Sequence, residues 1–436
     1  MKRAIYRISM GLGANAFGQA VTIAIQLLSL PIFLHFWSIS LYGEWLMLSA
    51  IPAYMSAMDV GILSVGMNKM TILAAGGDVR AAERVFHSLL AFALFAIAVA
   101  GAIVLPGLWL FTFGDTGSEV EHRLTLSMLL ITSLMCVFCG LFEAVFRASD
   151  EYAKGIIALN LARLSEWIGS IVGLVVGRSL FDVGLGLLCG RLLANLLTWI
   201  YVIRRYRDYR WNTRGASRTE LTGMILPGLS YLSLPAANAL SLQGMVLLVG
   251  TMFGTPTLAV FSAYRTLSRV GFQAVNMLSR VLWPEFSRRY GERAYGTMQK
   301  LYRYGTFATL TASLVAALIL YFASPVILSI WTHGKIAYIP TLFNILLLVT
   351  AFSGVWQIGL ILLTAVNQLG HVSMIYVTAS AFSLAVAYIA GRWTGVEGTS
   401  FAMLITELIM ASTCFIYVRQ FFGRYQATHE VGLATP

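Results

Sequence analysis

Charge is what this sequence has least of. Only 11% of its 436 residues are Asp, Glu, Lys or Arg, where soluble domains carry about a quarter. With 58% hydrophobic residues and a positive mean hydropathy, the chain is neither a soluble globular protein nor a disordered one. Cysteine is scarce too. Cys136, Cys139, Cys189 and Cys414 all fall inside apolar runs, which excludes a disulfide scaffold. Cys136-x-x-Cys139 has no second pair and no His partner, so it reads as small apolar packing rather than a redox or metal motif. Long polar connections are missing as well: the largest on the sparsely charged side lies around Ser324 to Pro340, too short for the catalytic loop of a membrane glycan polymerase. No G-x-S-x-G, H-E-x-x-H, P-loop or dinucleotide turn between strand and helix occurs. These absences predict a protein that is not an enzyme.

What remains is apolar runs. A spanning helix needs roughly 20 such residues, and about twelve segments qualify, near 11–34, 43–68, 85–110, 124–146, 156–177, 184–203, 222–252, 257–283, 304–322, 341–363, 373–391 and 398–418. The expected fold class is therefore all-α and polytopic. Lys2, Arg3 and Arg7 precede the first run, but it is about twice as long as a signal-peptide core, so it is read as an uncleaved span. Taking alternate loops, one side collects most of the Lys and Arg, from Lys2 and Lys69 through Arg204–Arg218 to Arg419 and Arg424. The other holds only Arg123, Arg178, Lys335 and Arg392. Cytoplasmic loops carry that excess, which predicts both termini in the cytoplasm and an even number of spans. The net charge of +11 is thus a topology signal with some attraction to anionic lipids, and nucleic acid is not an expected partner.

The longest basic turn, Arg204 to Glu220, separates six segments from six. This predicts an N-terminal six-helix bundle over 1–203, a basic cytoplasmic linker over 204–220, and a C-terminal bundle with a short tail over 221–436. Leu28-Ser29-Leu30-Pro31 recurs as Leu232-Ser233-Leu234-Pro235. A proline in corresponding helices of two halves points to a transporter's central site.

Charges deep in the spans are the functional candidates, because ionisable groups at that depth mark pathways or buried pairs. Arg163 and Glu166 fall on the fifth span, Arg191 on the sixth, Arg265 and Arg269 on the eighth, Glu407 on the twelfth, and Glu44 and Asp59 on the second. Arg265 and Arg269, four apart, share a helical face, and two like charges there ask for an anion. Arg163 with Glu166 reads either as a structural pair or as a substrate contact, and Arg191 either as a substrate contact or as the partner of a carboxylate on a neighbouring span. Glu407 and Asp59 divide between proton carriers and partners for these arginines. An arginine-lined interior suits phosphate oxygens, which guanidinium forks hold bidentately. No metal site is expected.

The motif SLPIFL at Ser29–Leu34, followed by LYGEWLMLSAIPAYMSAMDVGI at Leu41–Ile62, resembles the opening of bacterial polysaccharide flippases, as does VFSAYRTLSRVGFQAVNMLSRVLWPEFS at Val260–Ser287. These are the O-antigen and exopolysaccharide repeat-unit transporters of the MOP superfamily, which also holds the MATE exporters and the lipid II flippase. The resemblance implies two six-helix bundles around a central cavity. It implies an undecaprenyl-diphosphate-linked oligosaccharide as substrate, passed by alternating access from the cytoplasmic to the periplasmic leaflet of the bacterial inner membrane. It also implies coupling to H+ or Na+ without any other cofactor, and, as partners beside membrane lipids, the polysaccharide polymerase and chain-length machinery. On that reading Arg265, Arg269, Arg163 and Arg191 bind substrate, while Asp59, Glu166, Glu407 and Glu44 couple ions or pair with the cations. The alternatives are a MATE-like cation-coupled multidrug exporter and, from another class, a membrane-embedded glycan polymerase or glycosyltransferase.

Overall fold

In the computed structural model, which describes residues 2–58, 60–110, 119–366 and 368–432, every regular element is an α-helix. The order is α1 (Lys2–Phe36), α2 (Ile39–Met58), α3 (Val60–Ala75), α4 (Val79–Leu110), α5 (Glu119–Ala148), α6 (Tyr152–Val176), α7 (Leu180–Arg205), α8 (Arg218–Ser268), α9 (Phe272–Gly291), α10 (Tyr295–Trp331), α11 (Pro340–Ala365) and α12 (Gly370–Gly432). The twelve expected spans fall on helices, except that position 59 of the second lies outside the described residues and the eighth is interrupted. Among the described residues nine helices are long and apolar enough to cross a membrane, so the chain is a multi-pass membrane protein.

Two of the nine are each broken into two helical segments. α8 breaks at Gly254, where φ is +82°, and α12 at Gly395, where φ is +72°. Only glycine adopts that conformation without strain. Past Gly395 the chain doubles back: the Ser383 hydroxyl donates to the Ala402 carbonyl at 2.8 Å, and the Thr399 hydroxyl donates to the Ala387 carbonyl at 3.2 Å. Past Gly254, Arg265 likewise reaches the Leu242 carbonyl at 2.8 Å. The eighth expected span, in turn, is cut in two. Arg269, Val270 and Gly271 form a turn between α8 and α9, held by Arg269 N–H to Arg265 O and Phe272 N–H to Arg269 O.

Backbone contacts divide the chain into two compact units, Met1–Ala239 and Leu240–Pro436. In the first, α4 and α5 build a core around Phe86, Leu89, Leu141 and Val145, all fully buried. The basic turn after α7 folds onto it. Trp211 packs edge-on against Phe86 at 5.2 Å, the Ser217 N–H donates to the Ser88 hydroxyl at 3.0 Å, and the His87 ring lies 3.0 Å from the Arg210 carbonyl. α6 and α7 approach through a glycine seam. A methyl group at Gly169 would sit 2.1 Å from the Gly186 carbonyl, and one at Gly190 2.3 Å from the Ser165 carbonyl. Small residues are how membrane helices reach this separation, since lipid offers no hydrophobic drive for them to associate.

These contacts also sort the ends of the first unit. Lys69 pairs with Glu220, and Tyr206 donates to Glu151, so the basic connections share one end. At the other end the Trp37 indole donates to the Arg178 carbonyl at 2.5 Å, and the Leu180 N–H donates to Glu121 at 2.9 Å.

Candidate functional site

In the first unit the seam sets the electrostatics. Gly190 lies against Ser165, whose hydroxyl donates to the Gly190 carbonyl at 2.8 Å. The residues one position on, Glu166 and Arg191, therefore face each other across the seam and form an ion pair. Arg191 is 5% exposed. Its Nη1 lies 3.0 Å from the Cys139 sulfur, and the Cys139 thiol lies 3.4 Å from Asn195 Oδ1. Arg191 is thus paired with a carboxylate on a neighbouring helix, and Glu166 takes it as its ion-pair partner in place of Arg163. Cys139 belongs to this polar cluster rather than to apolar packing alone.

A cavity of about 300 Å³ opens beside the pair, its wall including Ser64, Cys136, Cys139, Glu143, Arg163 and Arg191. Glu143 is held by Arg147 at 2.6 Å. Arg163 is exposed, and among the described residues it makes no hydrogen bond or ion pair. The wall therefore offers one uncommitted guanidinium beside groups that are already neutralised.

In the second unit the expected arginines find different surroundings. Arg265 lies over the Phe261 ring at 5.4 Å in addition to its bond to Leu242. Arg269, in the turn between α8 and α9, lies over Phe272 at 5.3 Å, and among the described residues its guanidinium makes no hydrogen bond or ion pair. It is within electrostatic reach of Glu407. Glu407 is 9% exposed and accepts from the Trp356 indole at 2.7 Å, while the nearby Ser353 hydroxyl donates to the Val349 carbonyl at 3.1 Å. Tyr376 packs edge-on to Trp356 at 5.5 Å. Glu44 lies at the sparsely charged end of the first unit, its carboxylate 3.2 Å from His122 Nε2. Asp59 lies outside the described residues, as does its role.

Sequence reading missed Asn195, Trp356, Tyr376 and His122. Asn195 follows Arg191 by four, one turn along the same face, and that spacing was a usable signal. The aromatic pair carried none, because Trp and Tyr fill membrane helices for packing alone. Among the described residues no group of three or more His, Cys, Asp or Glu is placed to hold a metal ion.

No protein-family profile and no curated protein sequence matches the chain. Solved structures do. The chain is similar to a multidrug resistance MATE family transporter of the MOP superfamily in its inward-facing conformation, with a TM-score of 0.79 at 15% identity over 93% of this chain and 96% of that one. Its outward-facing form gives 0.66 at 16% identity over 98% and 97%. A MOP superfamily transporter from Pyrococcus furiosus, described as having a binding pocket of reverse polarity that suggests a different function, gives 0.61 at 15% identity over 98% and 96%. These neighbours are transporters, and the fold of this chain is the MATE transporter fold.

Proposed function

We propose that this protein is an alternating-access flippase that carries a lipid-linked polysaccharide precursor, with a diphosphate head group, across the inner membrane. The observation that carries the reading is Arg163, a guanidinium on a cavity wall whose neighbouring charges are already spent on each other. A guanidinium stays charged at any physiological pH and matches phosphate oxygens as a planar fork. In the second unit Arg269 is another guanidinium that makes no hydrogen bond or ion pair among the described residues. The undecaprenyl tail, on this reading, stays in lipid while the cations shelter the head. Glu407, buried and held by the neutral Trp356 indole, is the carboxylate that fits ion coupling.

Export of organic cations is the competing reading, and the shared fold is common to both. A cation wants a free carboxylate or an aromatic box, whereas Glu166 and Glu143 are each held by an arginine. The reverse polarity ascribed to the Pyrococcus transporter's pocket is a precedent for a change of cargo on this fold.

The test uses a strain whose surface polysaccharide depends on this gene. One lost charge-assisted contact is worth about 1.5–3 kcal/mol, so Arg163→Ala and Arg269→Ala should each cut export by about tenfold or more at unchanged protein level, with partial rescue by Lys. Full export by the double Ala variant, or loss of resistance to cationic dyes instead of polysaccharide, would overturn the assignment.

A further inference from the structure

A second basic site lies away from these charges. α10 and the last part of α12 enclose a groove of about 380 Å³ walled by Gln299, Tyr302, Arg303, Val418, Arg419 and Phe422. Arg303 and Arg419 are both exposed, and among the described residues neither makes a hydrogen bond or ion pair. Among the described residues no carboxylate belongs to the wall. Below the cations the groove turns apolar. Phe415, 61% exposed, stands one helical turn before Arg419 on α12, and Phe422 packs with Tyr302 at 6.3 Å. Above them Gly423 leaves open space, since a methyl group there would meet nothing within 4 Å.

The order along the groove is open mouth, two guanidiniums, then an apolar wall continuous with spanning helices. That is the order of a phospholipid: solvent, phosphodiester, chains. Basic pockets between membrane helices at the positively charged end bind anionic head groups. We propose that this groove is a binding site for an anionic phospholipid of the surrounding leaflet, its phosphate on Arg303 and Arg419 and a chain along Phe415. The site stands independently of the transported substrate.

A larger apolar groove between α6 and α7, about 510 Å³, serves as an internal control. The cation at its mouth, Lys154, is paired with Glu151 at 2.7 Å, so it has little charge left for a lipid phosphate.

The experiment is native mass spectrometry of the full chain released from nanodiscs of equal phosphatidylcholine and cardiolipin, with and without undecaprenyl diphosphate. At about fivefold per basic side chain, the wild type should retain cardiolipin about 30-fold more than the Arg303→Gln/Arg419→Gln variant. Lys154→Gln should retain it like the wild type, and the Arg303→Gln/Arg419→Gln variant should melt like the wild type, because both side chains are exposed. Equal retention by wild type and double variant would overturn the proposal. So would Arg-dependent displacement of cardiolipin by an equal amount of undecaprenyl diphosphate, which would make the groove a substrate site.

Discussion

Removing the carboxylate from Glu166 strands a guanidinium. Arg191 is 5% exposed, and among the described residues its side chain reaches, beyond Glu166, the Cys139 sulfur at 3.0 Å, a weak acceptor. Breaking one half of a buried pair costs about 3–5 kcal/mol, because the other half stays charged in low dielectric. For a unit the size of Met1–Ala239, each kcal/mol moves Tm by about 2–4 °C, so Glu166→Gln should lower the melting temperature in detergent by roughly 6–20 °C. Glu166→Leu with Arg191→Met removes both charges at similar volume, and most of the stability should return. Because Arg191 is already neutralised, the double variant should also export polysaccharide at near wild-type level. A single variant melting within about 2 °C of wild type would show that the pair is not structural. A double variant that melts normally and exports nothing would show that Arg191 holds the substrate.

The glycine seam makes a second prediction: Gly190→Ala places a methyl 2.3 Å from a backbone oxygen and should cost about 1–3 kcal/mol, while Gly13→Ala, which meets nothing within 4 Å, should be neutral or stabilising in a melting assay. The loop before α6 predicts a pH dependence. Burial alone would raise the Glu151 carboxyl, but hydrogen bonds from Lys154 and Tyr206, with the charges of Lys154 and Arg205, hold it below its usual value of 4.5. Its contribution is therefore present at neutral pH and lost as pH falls below 4.5, so Glu151→Gln should lower Tm at pH 7 and match wild type in strong acid. Orientation is checked by reporter fusions: one after Arg210 should be active only as a cytoplasmic enzyme, and one after Arg178 only as a periplasmic one.

Helices were the legible part of this chain, because hydropathy over twenty residues is a strong signal and the expected spans fall on helices. Turns within the spans were less legible. Arg269 looked like mid-helix, yet the chain breaks there; neither Arg269 nor Val270 is a helix breaker, and Gly271 is the lone local cue. It lies so close to α10 that a methyl group would fall 2.5 Å from the Ala316 side chain. The site was legible as a list of charges and illegible as pairs. Glu166 stands three residues from Arg163 and twenty-five from Arg191, and spacing along one helix favours the near partner. The structure chooses the far one.

The reason for that choice lies in residues with no charge at all. Gly169 and Gly173 on α6 lie against Gly186 and Asp182 on α7, backbone to backbone, and Gly190 extends the seam to Ser165. Once two helices are this close, the residues flanking the seam have no freedom to turn away, and Glu166 and Arg191 are brought within reach. Had either helix carried a larger residue in the seam, the separation would have grown and Glu166 would have had its own-helix neighbour Arg163 to neutralise. The seam thus does two things at once. It buries one arginine in a pair, and by claiming the nearby carboxylate it leaves Arg163 uncommitted on the cavity wall. A bulky substitution at Gly190 should therefore weaken export as well as stability, and a suppressor that removes Glu166 in that background should restore export more than it restores melting temperature.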